Sequence, residues 1–383
     1  MELPDDHEIT AEGVEALLVP AEIVEHELGA RSLTRRVVEI AGSLTITASL
    51  FVFAIPAISN SGYGEIWDRL ADLRGAQFVE LTALWLAVML TYTGVMTAAL
   101  PGLRHSQALV VNVSGSAVSN VVPFGGAAGV AATYAMELSW GFRTASITLA
   151  ILVTGVWNVF TKLGLPVLAV VLLAATGRAT AALVGPAGVG VLLLAAGIVV
   201  FLLVLRSEVL AQRVGGLAER IGGALFRVLR RRPPPWRKAV LDFRHRSVGL
   251  IRDRWGALTF WMLVYSAGQF LLLLMCVRAM GADTDELGWI EVFAAYTLAN
   301  LLTTIAVTPS GVGFVEAGTT AALIAFGGNE TGAAAAVFLF RGFTYVMEIP
   351  LGALGWAVWG WARSWRRPLA ESLAAGIPGP DLP

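Results

Sequence analysis

Six long apolar runs constrain the fold of this chain more than any other feature of its sequence. They span approximately residues 37–57, 78–100, 144–175, 183–205, 257–280 and 333–362. A helix of roughly 20 residues crosses the hydrocarbon core of a bilayer, which is about 30 Å thick. The chain is 56% hydrophobic and only 14% charged, whereas soluble domains have about 25% charged residues. The sequence therefore predicts an all-α, polytopic membrane protein with about six spanning helices.

Two further apolar regions, 106–138 and 289–326, are interrupted near their middles by proline and glycine. The interruptions are Pro123-Phe124-Gly125-Gly126 and Pro309-Ser310-Gly311-Val312-Gly313. Proline removes a helical hydrogen bond and clashes with the preceding turn, so a continuous helix is not expected in either region. We predict that each region forms a re-entrant helical hairpin or a discontinuous helix.

The two broken regions occur in matching contexts, because each follows an apolar helix and precedes a long one. Pro123 and Pro309 are separated by nearly the same interval as the starts of the long runs that follow them, 144–175 and 333–362. Two matching units of opposite orientation form an inverted repeat, which is common in secondary transporters that bind substrate at the repeat interface. The alternative is that proline and glycine are simply frequent in membrane helices.

Lys and Arg are distributed unequally between the connections, which predicts the orientation. If the N-terminus is cytoplasmic, the inner connections hold 21 of these residues and the outer connections hold 4. Because positive charge accumulates on the cytoplasmic side, we predict a multi-pass protein of the cell (plasma or inner) membrane with both termini in the cytoplasm. The first broken region then enters from the cytoplasm and the second from outside.

The net charge of −1 conceals two segments of opposite charge. Residues 1–30 contain nine acids and no Lys or Arg, whereas residues 206–256 have a net charge of +9. We predict five parts: an acidic cytoplasmic tail (1–34), a first membrane half (35–205), a basic cytoplasmic loop (206–256), a second membrane half (257–365) and a C-terminal tail (366–383).

The basic loop repeats arginine every seven residues, at Arg206, Arg213, Arg220 and Arg227. This period predicts an amphipathic helix over 206–232 that attaches to anionic lipid, with a solvated loop as the alternative. Nucleic-acid binding is not expected, because a loop this short, which also contains Pro233–Pro235, hardly supplies an independent fold.

Ionisable residues inside the apolar runs are the first candidates for a functional site. Charge at membrane depth costs at least about 2.5–3.5 kcal/mol, so such residues usually pair or line a cavity. The candidates are Lys162, Glu316, Arg341 and Glu348, with Asn158, Gln269 and Asn300 as polar companions. Lys162 and Glu348 are separated by the same interval as the two prolines, so they occupy equivalent places in the two repeats. The alternative roles are a structural ion pair or snorkelling near a membrane interface.

The proline–glycine breaks are the second set of candidates: Pro123, Gly125 and Gly126 in the first region, and Pro309, Gly311 and Gly313 in the second. A helix that restarts after proline directs free N–H groups and a positive dipole end into the membrane, which suits an anionic group such as a lipid phosphate. Close helix packing through Gly125 and Gly129 is the alternative.

Motifs for catalysis are missing from the sequence. There is no Walker loop, no His-Glu-x-x-His spacing and no nucleophile elbow, and Cys276 is the single cysteine. We therefore expect no catalytic residue, no metal and no cofactor.

The second break, Thr308-Pro309-Ser310-Gly311-Val312-Gly313-Phe314-Val315-Glu316, resembles a Pro-x-Gly-x-Gly-x-x-Glu signature. That signature belongs to the flippase-like membrane domain of the lysylphosphatidylglycerol synthetase family and its stand-alone relatives. The first break, Asn120-Val121-Val122-Pro123-Phe124-Gly125-Gly126, is similar to the family's earlier motif, but Ala127-Ala128-Gly129-Val130 replaces the Gly-Glu pair common there. The resemblance covers about residues 35–365 and implies a protein that moves or accommodates anionic lipids. Because only a short tail follows Trp365, we expect no soluble aminoacyl-transfer domain and no synthesis of aminoacylated lipid.

These observations lead to the hypothesis of a flippase-like protein that translocates or binds a phosphate-bearing lipid or a lipid-linked saccharide. The expected partners are the membrane and an anionic phospholipid or polyprenyl-linked lipid, while a homo-oligomer or a membrane partner protein is left open. A membrane transferase or hydrolase that acts on lipid headgroups and a lipid-binding accessory subunit are the alternatives.

Overall fold

The structure, a computed structural model, describes residues 49–121, 125–177, 196–201, 236–303 and 311–365, together with single positions or pairs at 45, 203, 207, 209–210, 212–213 and 216. For residues 236–251 it describes only the backbone. The acidic tail, the C-terminal tail, Pro123 and Pro309 lie outside the described residues. Most of the predicted amphipathic helix 206–232 lies outside them as well. Most of the predicted span 183–205 also lies outside them, as do residues 37–48 of the predicted span 37–57, apart from position 45.

The described residues are predominantly helical and contain no strand. We number eleven α-helices in this part of the chain. They are α1 (Ile55–Ser59), α2 (Tyr63–Ala71), α3 (Gly75–Ala99), α4 (His105–Val121), α5 (Gly125–Ser139), α6 (Thr144–Ala175), α7 (Trp236–Ala279), α8 (Trp289–Leu302), α9 (Phe314–Ala325), α10 (Glu330–Arg341) and α11 (Glu348–Trp361). A π-helical segment, Gly342–Val346, joins α10 to α11, and another, Leu50–Ala54, precedes α1.

Four stretches of helix are long and apolar enough to cross a membrane: Gly75–Ala99, Thr144–Ala175, Arg252–Ala279 and Glu330–Trp361. They confirm the predicted runs 78–100, 144–175, 257–280 and 333–362, and with them an all-α, multi-pass membrane protein. Helices suit this setting because all of their backbone hydrogen bonds can be made within the segment. The structure differs from the prediction at α7, which begins at Trp236 inside the predicted basic loop, and at Gly342, where the fourth run changes from α- to π-helix.

Both broken regions consist of two short helices. In the first, α4 ends at Val121 and α5 begins at Gly125; in the second, α8 ends at Leu302 and α9 begins at Phe314. The longest of the four helices has 17 residues, or about 25 Å at 1.5 Å per residue, which is less than a bilayer core. Within each region the two arms pack against each other.

The second broken region begins and ends at the same place in the molecule. The turn before α8 and the turn after α9 are hydrogen bonded, because Asn329 N donates to Ala282 O (3.1 Å) and Thr284 Oγ1 donates to Gly327 O (2.8 Å). A kinked helix that crossed the membrane would separate these two ends by the thickness of the bilayer. The geometry is therefore that of a helical hairpin.

Two hydrophobic clusters mark the two ends of the bundle. The Ile66 cluster includes Leu81, Leu173, Leu273 and Ala335. The Trp140 cluster includes Ala99, Leu103, Val153 and Leu258, with Trp359 packed against it.

The positions of these clusters along the helices show that the two halves run in opposite directions. Helix α3 runs from the Ile66 cluster (Leu81) to the Trp140 cluster (Ala99), whereas α7 runs from the Trp140 cluster (Leu258) to the Ile66 cluster (Leu273). The long helices α6 and α10–α11 are opposed in the same way. The packing is reciprocal as well, since α4 packs on α11 of the other half and α8 packs on α6. This is the arrangement expected of an inverted repeat.

Candidate functional site

A polar cavity of about 340 Å³ lies where the two halves meet. On α3 and α6 the lining residues lie between members of the two hydrophobic clusters. Tyr92 follows Met89 of the Ile66 cluster and precedes Val95 of the Trp140 cluster, and Lys162 lies between Trp157 of the Trp140 cluster and Leu165 of the Ile66 cluster. The cavity is therefore at mid-depth in the bundle. Its lining residues come from α3, α4, α6, α7, α8, α9, α10, α11 and the segments that follow α8 and α10: Tyr92, Asn112, Ser116, Asn158, Lys162, Met262, Tyr265, Ser266, Gln269, Tyr296, Ala299, Asn300, Thr303, Val315, Phe340, Arg341, Thr344 and Glu348.

Lys162 lines the cavity from α6, one turn after Asn158, since residues four apart lie on the same helix face. Its Nζ donates a hydrogen bond to Thr303 Oγ1 (2.7 Å), and Thr303 Oγ1 in turn donates to Asn300 O (2.6 Å). Lys162 makes no ion pair with any described carboxylate. An ammonium has three donors, so this cation has hydrogen-bonding capacity to offer to a ligand in the cavity.

Arg341, at the end of α10, is held by a buried carboxylate. Its Nε donates to Glu316 Oε1 over 2.8 Å, and the side chains of Arg341 and Glu316 are only 11% and 4% exposed. The other carboxylate oxygen, Glu316 Oε2, accepts from the backbone N–H of Gly313 (2.7 Å). Gly313 has φ 89°, a conformation that glycine adopts without steric penalty. The Gly-x-x-Glu part of the second break is thus a helix cap that also fixes the position of Arg341.

Glu348, at the start of α11, faces the cavity on the side where α4 packs. Its Oε2 accepts a hydrogen bond from Asn120 Nδ2 (3.3 Å), and Asn120 O accepts from the Tyr345 hydroxyl (2.7 Å). These contacts attach the end of α4, directly before the first break, to the π-helical segment. Glu348 and Lys162 are thus on the same cavity, but each has a neutral hydrogen-bond partner and the two do not form an ion pair.

Tyr92 and Tyr265 form an aromatic wall of the cavity between α3 and α7. Their ring centroids are 4.8 Å apart at an interplanar angle of 55°. Gln269, one turn after Tyr265, donates from Nε2 to the Tyr265 hydroxyl (2.8 Å). The Gln269 Oε1 atom is buried and accepts no hydrogen bond from any described residue.

The structure brings only some of the predicted site residues to the cavity. Asn158, Lys162, Arg341 and Glu348 line it, and Glu316 reaches it through Arg341. The described glycines of the breaks do not line the cavity. Their role is in backbone conformation and close packing instead. A side chain at Gly125 would collide with the Ser119 backbone and one at Gly313 with Leu50, whereas Gly126 faces open space. The close packing weighed as the alternative for Gly125 and Gly129 is what the structure shows for them.

Sequence reasoning missed the hydroxyl side chains of the cavity, such as Tyr92, Ser116, Tyr265 and Thr303. Hydroxyl side chains are common in membrane helices and can donate a hydrogen bond to a backbone carbonyl. No single one of them is therefore conspicuous in the sequence. The signal that could have found them is their position, because each lies towards the middle of one of the apolar regions recognised in the sequence. No group of three or more His, Cys, Asp or Glu that could hold a metal occurs among the described residues.

Comparison with known proteins gives one family. Residues 40–352 match the family model described as the lysylphosphatidylglycerol synthase TM region. None of the curated proteins compared with the chain is similar enough to count as a match.

Proposed function

The chain belongs to the lysylphosphatidylglycerol synthase TM-region family, and from this premise we propose that it is a flippase-like protein that translocates a phosphate-bearing lipid or a lipid-linked saccharide. The family makes it a membrane protein linked to lipid metabolism or transport. In our proposal the headgroup passes through the mid-depth cavity while the acyl or polyprenyl chains stay in the bilayer. The substrate is then a lipid that enters the cavity from the membrane around the protein.

The observation that carries this proposal is that Lys162, a cation within a membrane helix, has a neutral hydrogen-bond partner and no ion pair with a described carboxylate. A charge within a membrane helix is expensive unless it is paired or solvated, yet the hydrogen-bond partner of Lys162 is the neutral Thr303 hydroxyl. A phosphate oxygen in the cavity would complete the hydrogen bonding of Nζ and balance its charge. Arg341 contributes less to such a site, because Glu316 already balances it.

The opposed halves supply a means of moving the headgroup. In transporters built from inverted repeats, one repeat rocks against the other around a central site, which opens to each side in turn. Here both broken regions contribute to the cavity, through Asn112 and Ser116 on α4 and through Asn300 and Val315 on α8 and α9. A rocking motion of the halves would therefore alter the walls of the cavity directly.

We propose transport rather than headgroup chemistry. A transferase or hydrolase needs an acid–base pair or a metal beside the reacting bond. The described carboxylates nearest the cavity already have structural partners: Glu316 binds Arg341 and Gly313, and Glu348 binds Asn120.

The proposal is tested with purified protein in vesicles that contain a fluorescent phosphate-bearing phospholipid, by measuring the fraction of the probe that becomes accessible to an impermeant quencher. Losing a charge-assisted hydrogen bond costs roughly 1.5–3 kcal/mol, so we expect Lys162→Met to slow translocation about ten- to a hundredfold. Lys162→Arg, which keeps the charge, should retain most of the rate.

A matched control removes an exposed cation away from the cavity. Arg278 lies in the last turn of α7 and is exposed, so Arg278→Met should translocate lipid at the wild-type rate. Normal translocation by Lys162→Met, with a wild-type thermal melt, would overturn the assignment of the cavity as the headgroup path.

A further inference from the structure

Helix α7 is much longer than a membrane span. It has 44 residues, or about 66 Å at 1.5 Å per residue, whereas a bilayer core is about 30 Å thick. Within α7, the part that is apolar enough to cross a membrane is Arg252–Ala279, and its first three residues are charged and exposed. Residues 236–254 therefore form a part of α7 that lies outside the bilayer core, which we call the α7 extension.

The α7 extension continues the helix of the span and does not lie flat on the membrane. No proline and no π-helical turn interrupts residues 236–279, and these are among the usual causes of a sharp kink. The backbone of residues 236–251 thus carries the start of α7 up to about 24 Å away from the span, at 1.5 Å per residue. Contacts between exposed charges are screened beyond about 8 Å at physiological salt, so the first turn is too far away to bind lipid headgroups.

The α7 extension has an excess of positive charge, and part of it is at the unfavourable end of the helix. The extension contains six Lys or Arg residues and two Asp, and the first turn of α7 contains no acid. Arg237 and Lys238 are in that turn, where the helix dipole is itself positive and where acids, not bases, are stabilising. An anionic partner would offset both the bases and the dipole.

The N-terminal segment of the chain is expected at the same end of the bundle. The α7 extension leaves from the Trp140 end, because Leu258 belongs to the Trp140 cluster. Leu50 lies beside the second break, close to Val315 of the mid-depth cavity, and Ile55 belongs to the Ile66 cluster. The chain thus runs towards the Ile66 end, so the predicted span 37–57 begins at the Trp140 end.

We propose that the α7 extension is a docking surface for residues 1–30 of the same chain. These residues include nine acids and no Lys or Arg, so their charge is opposite to that of the extension. Docking places carboxylates at the positive end of a helix, which is the stabilising arrangement. A segment of this length can reach the start of α7, because it spans up to about 100 Å when fully extended. The surface lies outside the cavity and does not depend on the function proposed for the cavity.

The contact is testable by zero-length cross-linking, because the chain has only two lysines, Lys162 and Lys238. Lys162 lines the cavity, whereas Lys238 is in the α7 extension. After treatment of the full-length protein in detergent with a carbodiimide, which joins carboxylates to amines, mass spectrometry should find a peptide that links Lys238 to an acid of residues 1–30. The screening length falls from about 10 Å at 0.1 M salt to about 3 Å at 1 M, so the yield should fall about fivefold or more between these two conditions.

Two variants with unchanged net charge serve as controls. Lys238→Arg keeps the charge and removes the reactive amine, so the cross-link should disappear. Adding Arg143→Lys to that variant places an amine at an exposed position before α6, at the same end of the bundle, and it should give only background cross-linking to residues 1–30. A mixture of isotopically labelled and unlabelled protein shows whether the two linked peptides come from one chain.

Each of three results would overturn the inference: no cross-link at Lys238 at low salt, a yield that high salt leaves unchanged, or an equal yield from the Arg143→Lys variant. Cross-links found only between different chains would also overturn it, because they would assign the surface to a second copy. Loss of the cross-link in nanodiscs rich in anionic lipid would make the membrane surface the partner of the α7 extension and overturn it as well.

Discussion

Glu316 shows how a single side chain can serve two parts of the fold at once. One oxygen holds Arg341 of α10, and the other caps the start of α9 at Gly313. Because α9 begins directly after the second break, the carboxylate ties the break to a cation of the cavity. A change at Glu316 should therefore disturb both stability and the position of Arg341.

We expect Glu316→Ala to lower the free energy of unfolding by about 3–5 kcal/mol, because it leaves the buried Arg341 charge uncompensated and removes the cap. Glu316→Gln should cost less, since an amide oxygen can still accept from Gly313 N. The measurement is thermal unfolding in detergent, and the double variant Glu316→Gln/Arg341→Gln is the control. It should be more stable than the sum of the two single losses predicts; additive losses would show that the pair is not coupled.

At the scale of elements, close helix packing through glycine joins the two halves. Helix α11 presents Gly352 to α4, and a Cβ there would fall on Ala117 and on the Val113 carbonyl. Gly360, two turns further along the same helix, has nothing within 4 Å of the place its Cβ would take. Small residues at helix interfaces let backbones approach closely in membranes, so the first glycine should be needed and the second should not.

The prediction is that Gly352→Ala destabilises the protein by about 1–3 kcal/mol through overpacking. Gly360→Ala should be neutral or stabilising by up to about 1 kcal/mol, because alanine is the better helix former. Melting temperatures of the two variants, compared with the wild type, test this directly. Equal effects of the two exchanges would mean that α4 and α11 do not pack as described.

The helices were largely predictable from the sequence, but the contacts between them were not. The apolar runs indicated the four long helical stretches, and the two proline–glycine clusters indicated the breaks. The π-helical segment Gly342–Val346 left no mark in the sequence, since a wider turn needs no special residue. Asn120 as the partner of Glu348 could not be predicted either, because the two are far apart in the sequence and their contact depends on how the halves dock.

At the scale of the whole molecule, the equivalence of the two halves is what made the site partly predictable. Lys162 and Glu348 were linked only by sharing the spacing of Pro123 and Pro309, and the structure places both on the same cavity. The repeat does not imply that the two side chains bind each other, and each is hydrogen bonded to a different neutral partner. We therefore expect the effects of Lys162→Met and Glu348→Gln on translocation to be close to additive, measured as the rates of the two singles and the double in vesicles. A double variant much less impaired than that would indicate a direct pair.

The two ends of the bundle also carry the charges on which the predicted orientation depends. Arg104 follows Leu103 of the Trp140 cluster, and Trp365 stacks edge-on against Trp140 at the same end. Arg69 and the turn 281–287 lie at the end of the Ile66 cluster, where Ser61 is hydrogen bonded to Thr331. From the positive-inside rule we predict that the Trp140 end faces the cytoplasm. The tryptophans at that end are residues that favour a membrane–water interface.

This orientation is tested by cysteine labelling in intact cells, in a Cys276→Ser background. Ser61 is buried, so the exposed residues Glu65 and Asp285 are the sites for the outer end, and the exposed Ser364 is the site for the inner end. Cysteine at 65 and at 285 should react with an impermeant thiol reagent, and cysteine at 364 should react only after the cells are opened. Reaction at 364 alone would reverse the orientation and leave the fold unchanged. Reaction at only one of 65 and 285 would instead contradict the fold, because the structure places both residues at one end of the bundle.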